Sequence, residues 1–141
     1  MSKVIVVGID GSETAKKAAK SARQMAIALE TTLHIVTAFN DETTVVFGTG
    51  SDQSVVSSQE KAEKIARNLA VELSSGELKV GYFAVRGTPA HALLQHAEKY
   101  NARMIVVGNK RMQGLGRVLG SVASNVAHNA PCDVYIAKTY S

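Results

Sequence analysis

Gly108, Gly114, Gly116 and the run Gly120-Ser121-Val122 all fall within Met104 to Val122, a stretch that opens on the apolar run Met104-Ile105-Val106-Val107. An apolar strand ending in glycine, a glycine-bearing loop and a helix start together form an anion site. Backbone N–H groups at a helix N-terminus have no intrahelical acceptor, and the helix dipole favours negative charge there. Glycine lets a phosphate approach the backbone closely. Lys99, Arg103, Lys110, Arg111 and Arg117 lie between Lys99 and Cys132, an interval without Asp or Glu. These residue types in this order point to a phosphate-bearing ligand, a nucleotide foremost.

The elements that must position this stretch are legible from Lys3 onward. Lys3 to Gly8 is a continuous β-branched run, the pattern of a strand buried on both faces. Asp10-Gly11-Ser12 makes a turn, and Ser12 or Asp10 is placed to cap the next helix. Ala15, Ala18, Ala19, Ala22, Met25, Ala26 and Leu29 then recur at helical spacing. Leu33 to Phe39 reads as a second strand, and Asn40 to about Ser54 as a long loop interrupted by Val45-Val46-Phe47. Ala62, Ile65, Ala66, Leu69 and Leu73 carry a second helix that ends near a glycine C-cap at Gly76. Leu78 to Val85 reads as the third strand. Thr88-Pro89 starts a helix whose inner face is Ala90, Leu93, Leu94, Ala97 and Tyr100. Met104 to Val107 is the fourth strand. A last helix, about Val118 to His128 with Val118, Val122 and Val126 inward, stops at Pro131, and Val134 to Ala137 is the fifth strand.

This alternation predicts an α/β fold: a single doubly wound domain over residues 1–141, with a five-stranded parallel sheet and helices on both faces. Such sheets bind ligands beyond the carboxyl ends of their strands, where the strand order reverses. With the first and fourth strands adjacent, that crevice gathers Gly8 to Ser12, the end of the second strand and the Gly108–Ser121 loop.

Composition narrows the function classes. The chain has 141 residues, 45% hydrophobic and 20% charged, with a formal charge of +4. It has no run of five or six basic residues and no basic-aromatic interleaving, so nucleic-acid binding is not expected. A single cysteine, Cys132, cannot form an internal disulfide, and no apolar run approaches the roughly 20 residues of a membrane helix or the length of a signal sequence. A cytoplasmic location without membrane insertion is the expectation.

The combination of Val4-Ile5-Val6-Val7-Gly8-Ile9-Asp10-Gly11-Ser12 with Leu119-Gly120-Ser121-Val122 and Ala130-Pro131-Cys132-Asp133-Val134 resembles the universal stress proteins over essentially the whole chain. The resemblance implies the same five-stranded fold, a homodimer, and a role as a stress-response signalling or regulatory module, while Val134 to Ala137, read as an apolar edge strand, invites pairing with another chain. One branch of that family binds ATP through G-x2-G-x9-G-S/T and another lacks the motif. Carried over by position, it implies that Ile9, Asp10 and Gly11 contact the nucleoside, and Asp10 also a Mg²⁺ ion. Thr37 and Ala38 would flank the adenine, and Val107 and Gly108 would open the loop beside the ribose and phosphates. Gly120, Ser121 and Val122 would offer amides and a hydroxyl to the phosphates, with Lys110 and Arg111 nearby as cations. Two departures stand out. Arg111 occupies the place of the motif's second glycine, and the interval from Gly108 to Gly120 is one residue short. Arginine lacks glycine's access to positive φ, yet it can grip a phosphate with two hydrogen bonds.

Three readings stay open: an ATP·Mg²⁺-binding stress protein, a nucleotide-free dimeric interaction module with Arg111 filling the phosphate place, and a weak ATPase or phosphotransferase. Enzyme motifs are missing, including a G-x4-G-K-S/T loop, a G-x-S-x-G elbow and C-x-x-C. No catalytic residue is therefore nominated. Among the histidines, His91 and His96 lie five apart on one helix, off a common face, with His34 and His128 on other elements. They do not suggest a metal site. Cys132 reads as structural.

Overall fold

Ile5-Val6-Val7 is apolar without alternation because both of its faces are covered. In a computed structural model, which describes residues 3–40, 44–47, 54–109 and 119–139, all three side chains are fully buried. Ile5 and Val7 enter one core cluster and Val6 the other, as the two-residue repeat of a strand requires.

The elements run β1 (Ile5–Gly8), α1 (Glu13–Ala28), β2 (Leu33–Phe39), β3 (Thr44–Phe47), β4 (Ser54–Ser57), α2 (Ser58–Leu73), β5 (Val80–Arg86), α3 (Pro89–Lys99), β6 (Met104–Asn109), α4 (Ser121–Asn129) and β7 (Asp133–Lys138). The main sheet has five parallel strands in the order β5-β2-β1-β6-β7. This is the expected α/β architecture. Strand order reverses at β1, which pairs β2 on one side (Ile5 with Leu33) and β6 on the other (Ile5 with Met104). One face of the sheet is packed by α1 and α2, with Ile35, Ala66, Leu69 and Val106 in its core. The other is packed by α3 and α4, with Val36, Leu93, Ile105 and Val126.

Small residues bring these layers close. Ala15, Ala18, Ala19, Ala22 and Ala26 form the buried stripe of α1. At Gly8 an added Cβ would stand 2.9 Å from Leu93 Cδ1, so glycine there leaves room for the Leu93 side chain of α3 at the end of β1. Helix starts follow the sequence signals. Ser12, Ser57 and Thr88 accept hydrogen bonds from the amides of Ala15, Glu60 and His91. Across the helices, the Arg23 Nε–H donates to the Leu73 carbonyl at 2.8 Å and satisfies one open acceptor at the end of α2.

Three expectations need correction. The stretch read as a loop from Asn40 to about Ser54 contains β3, which pairs antiparallel with β4 (Val45 with Val56, Val46 with Val55) as a separate two-stranded ribbon. Each run is too short to register as a strand alone, and pairing with the other satisfies its backbone. Gly76 is not the cap of α2. Ser74 ends that helix in extended geometry, its hydroxyl donating to the Ala70 carbonyl, and Gly76 lies in the Ser75–Leu78 turn. Left-handed caps stand instead at Glu30 (φ 53°) and Asn101 (φ 50°). There Thr31 N–H bonds Ala26 C=O and Ala102 N–H bonds Ala97 C=O, the six-to-one closure of a Schellman motif. Tyr100, assigned inward, is over a third exposed at the end of α3, while Ala92 and His96 are buried. Val118 lies outside the described residues.

The close helix–sheet contact predicts the result of enlarging its small residues. Ala19→Leu should destabilise the fold by about 1–3 kcal/mol through overpacking. It should lower the urea midpoint at unchanged slope, measured by equilibrium unfolding.

Candidate functional site

Four chain segments converge beyond the carboxyl ends of β1, β2 and β6. The first is the turn after β1. Ile9 N–H still bonds the Val36 carbonyl at 2.9 Å, so strand pairing holds Ile9 while the chain turns. Asp10 Oδ1 accepts the Ser12 N–H at 2.9 Å, and Gly11 sits at φ +87°, a conformation that a side chain resists. Asp10 is left exposed at the rim.

The second segment is the end of β2. Thr37 is 4% exposed, and among the described residues its hydroxyl has no hydrogen-bond partner. A buried hydroxyl without a partner costs free energy that a ligand can return. Ala38 and Phe39 follow it along the same wall.

The third and fourth segments are the end of β6 and the start of α4. Asn109, 1% exposed, accepts the Gly120 N–H on its Oδ1 at 2.9 Å. This bond ties the two ends of the intervening glycine-bearing loop together and sets where α4 begins. The N-cap of α4 is Gly120, which has no side chain to bond the first-turn amides, in contrast to Ser12, Ser57 and Thr88 on the other helices.

Together these segments enclose a cleft of about 530 Å³, within the range of small-molecule sites. Of the residues nominated from sequence, Ile9, Asp10, Thr37, Ala38, Val107, Gly108, Gly120, Ser121 and Val122 line it. Gly11 does not line it, and acts by shaping the turn that presents Asp10. Lys110 and Arg111, with Gly114, Gly116 and Arg117, lie outside the described residues.

The cleft also includes residues that sequence reasoning passed over. Lys61 and Ile65 of α2, Leu93 and Pro89 of α3, and Asn109 all line it. Ile65 and Leu93 were assigned to packing faces and Pro89 to a helix start, and only the tertiary arrangement brings them, with Lys61, to the cleft. Asn109 carried a usable signal, a polar residue ending an apolar strand before a glycine-bearing loop. Asp10 and Lys61 are the charged side chains among the described lining residues. The arrangement suits an elongated ligand with an apolar planar part and an anionic end.

Elsewhere, Cys132 is half-buried and burial, helped by the Asp133 charge, pushes its thiol pKa up. That disfavours the thiolate and agrees with a structural role. His34 and His96, far apart in sequence, meet in the interior with Nδ1 and Nε2 3.0 Å apart. Among the described residues no group of three or more His, Cys, Asp or Glu is arranged to hold a metal ion.

Comparison with known proteins agrees with this architecture. The family model described as the universal stress protein family matches residues 1–138. A universal stress protein of Mycobacterium tuberculosis strain H37Rv is 32% identical, the match covering 97% of this chain and 97% of the relative. One from Thermus aquaticus is 32% identical over 98% of this chain and 100% of its own. Among solved structures, a universal stress protein in complex with cAMP is 28% identical, covers 98% of both chains and superposes with a TM-score of 0.70. A universal stress protein from Archaeoglobus fulgidus in complex with dAMP, 17% identical over 98% of both chains, shares the fold with a TM-score of 0.70. On the whole-length family match and these relatives, the chain belongs to the universal stress protein family.

Proposed function

We propose that this chain is a nucleotide-binding stress protein whose cleft holds an adenine nucleotide, ATP with Mg²⁺ in first place. The observation that carries the reading is the pairing, in one 530 Å³ cleft, of apolar walls with the uncapped N-terminus of α4. The solved relative in complex with cAMP supports the same ligand class.

The residues fit such a ligand. Ile9, Ala38, Val107 and Ile65 are among the apolar surfaces available to a base, and Thr37 offers it a buried hydroxyl that has no partner among the described residues. The amides of Ser121 and Val122, with the Ser121 hydroxyl, face the phosphates, and the helix dipole adds to their attraction. Lys61 supplies positive charge from the opposite wall. Asp10 is placed for the ribose or for a Mg²⁺ ion, which binds through one or two carboxylates together with phosphate oxygens. Bound Mg²⁺ would neutralise phosphate charge. Asn109 positions these groups by holding Gly120, so its loss should act on affinity without removing a ligand contact.

A homodimer is the second part of the proposal. Among the described residues β7 forms one edge of the sheet, pairing with β6. Tyr135 on it is 42% exposed. A sheet edge with an exposed aromatic is a template for a second copy. We place the protein in the cytoplasm, as its single thiol suggests. No helix among the described residues is long and apolar enough to cross a membrane.

Isothermal titration should give saturable binding of ATP·Mg²⁺ that weakens with added salt. Gly120→Val should abolish it by placing a branched side chain at the phosphate end. Asn109→Ala should weaken it roughly tenfold, about the effect of one buried hydrogen bond. Absence of both heat and thermal shift at millimolar nucleotide would overturn the reading in favour of a nucleotide-free interaction module. Steady ATP turnover that Ser121→Ala removes would instead favour a weak ATPase. Light scattering should give twice the chain mass, and Tyr135→Lys should shift it toward the monomer without loss of helical circular dichroism.

A further inference from the structure

The aromatic cluster on the α3 face of the sheet, built around two buried histidines, lies apart from the residues that line the cleft. His34 on β2 and His96 on α3 are 8% and 3% exposed, with His34 Nδ1 3.0 Å from His96 Nε2. Phe83 on β5 and Tyr100 at the end of α3 complete the group, all ring centroids lying 4.4–5.4 Å from one another. Gly81, opposite His34 in the strand register, makes room for it. A Cβ there would stand 3.0 Å from the Phe83 ring and 3.4 Å from His34 Cδ2. A hydrogen bond between two imidazoles needs one nitrogen as donor and the other as acceptor, so the neutral pair shares one proton across this contact.

We propose that the His34–His96 pair is a proton-sensitive clamp, which when neutral binds α3 to β2 and β5 and when protonated lets α3 loosen, and with it one wall of the cleft. The geometry links the two places directly. β2 carries His34 and, three residues on, the cleft residue Thr37. α3 carries His96 and, one turn earlier, the cleft residue Leu93, which packs on Gly8.

Of the titratable groups around the pair, Lys99 and His34 both oppose a charge on His96. From α3 come Lys99, with its ammonium 5.5 Å from the Tyr100 ring centroid, and the Tyr100 phenol. From β5 comes Arg86, which lines the same recess and lies over the Phe39 ring, and from β2 comes His34 itself. No carboxylate lines that recess among the described residues. A first added proton therefore creates a buried cation among like charges. A second would leave N–H groups facing each other across the contact.

Burial pulls the pKa of both rings down, that of His96 to about 4 with His34 and Lys99 contributing. Rings exposed by unfolding or local opening take their protons near pH 6.5. Between those values the open state binds more protons than the closed one. Closure is thus fully stable above about pH 6.5 and loses stability as pH falls toward 4.

The test compares wild type with the double variant H34N/H96Q, whose amides mimic the facing ring nitrogens without titrating. From pH 7.5 to 5, wild type should lose roughly 5 °C more in melting temperature than the variant. Hydrogen exchange, corrected for its intrinsic pH dependence, should show wild-type protection falling selectively in residues 33–39 and 89–99. Equal losses in both proteins, or protection retained in those segments, overturn the clamp. NMR titration of the wild-type rings decides without any variant: folded-state pKa values at or above 6 overturn it, and values well below 6 support it. Only the nucleotide consequence rests on the function proposed above. ATP·Mg²⁺ affinity should fall in the same pH window in wild type and not in the variant. Failure to bind nucleotide at any pH counts against that function alone, since exchange and ring titration measure the clamp without ligand.

Discussion

The double-sided burial of β1 is the constraint on which the rest depends. A parallel strand hydrogen-bonded on both sides, with apolar side chains on both faces, must sit at the centre of the sheet. Its neighbours β2 and β6 are reached by crossovers that cover opposite faces, α1 on one and α3 on the other. Where those connections part, the carboxyl ends of β1, β2 and β6 are left with a crevice that no helix fills. Ile9, Thr37, Val107 and Gly108 line this crevice because they end or follow those three strands.

Close packing then turns the crevice into a shaped cleft. Alanines on α1 and glycine at position 8 let helices lie near the strand ends, so Leu93 and Ala15 become walls. Gly108 is similarly confined, with Thr139 and Ala18 in contact range of any added Cβ. The polar features are few and specifically placed: the Thr37 hydroxyl, the Asp10 turn, and the Asn109 bond that fixes the first residue of α4. A mainly apolar pocket with a few convergent polar groups is the usual form of a small-molecule site. Here the polar groups gather at strand and helix ends, where backbone amides are also open.

Much of this was readable in the chain. The runs Lys3–Gly8, Leu33–Phe39 and Met104–Val107 declared buried strands, and Ser12 and Thr88-Pro89 declared helix starts, because those signals are local and act within a few residues. The β3–β4 ribbon was not legible, since each run is brief and its backbone is satisfied by pairing with the other run. Gly76 misled for a related reason. Glycine permits a left-handed cap but does not require one, and Glu30 and Asn101 adopt that geometry where packing closes the helix end.

The sequence by itself determined the order of the five main-sheet strands and the helices between them, most of their buried faces, the place of the cleft and most of the strand-end residues that line it, because periodicity and turn chemistry are properties of short segments. Only the tertiary structure decided which residues from distant segments complete those neighbourhoods. Lys61 and Ile65 reach the cleft through the packing of α2, and Asn109 finds Gly120 across the loop. His34 and His96, 62 positions apart, bring ring nitrogens within 3.0 Å because β2 and α3 pack face to face. Side-chain pairing across layers depends on distances that no local pattern encodes. The strand-end cleft was therefore visible in outline from the chain, while the histidine pair behind it emerged only from the fold.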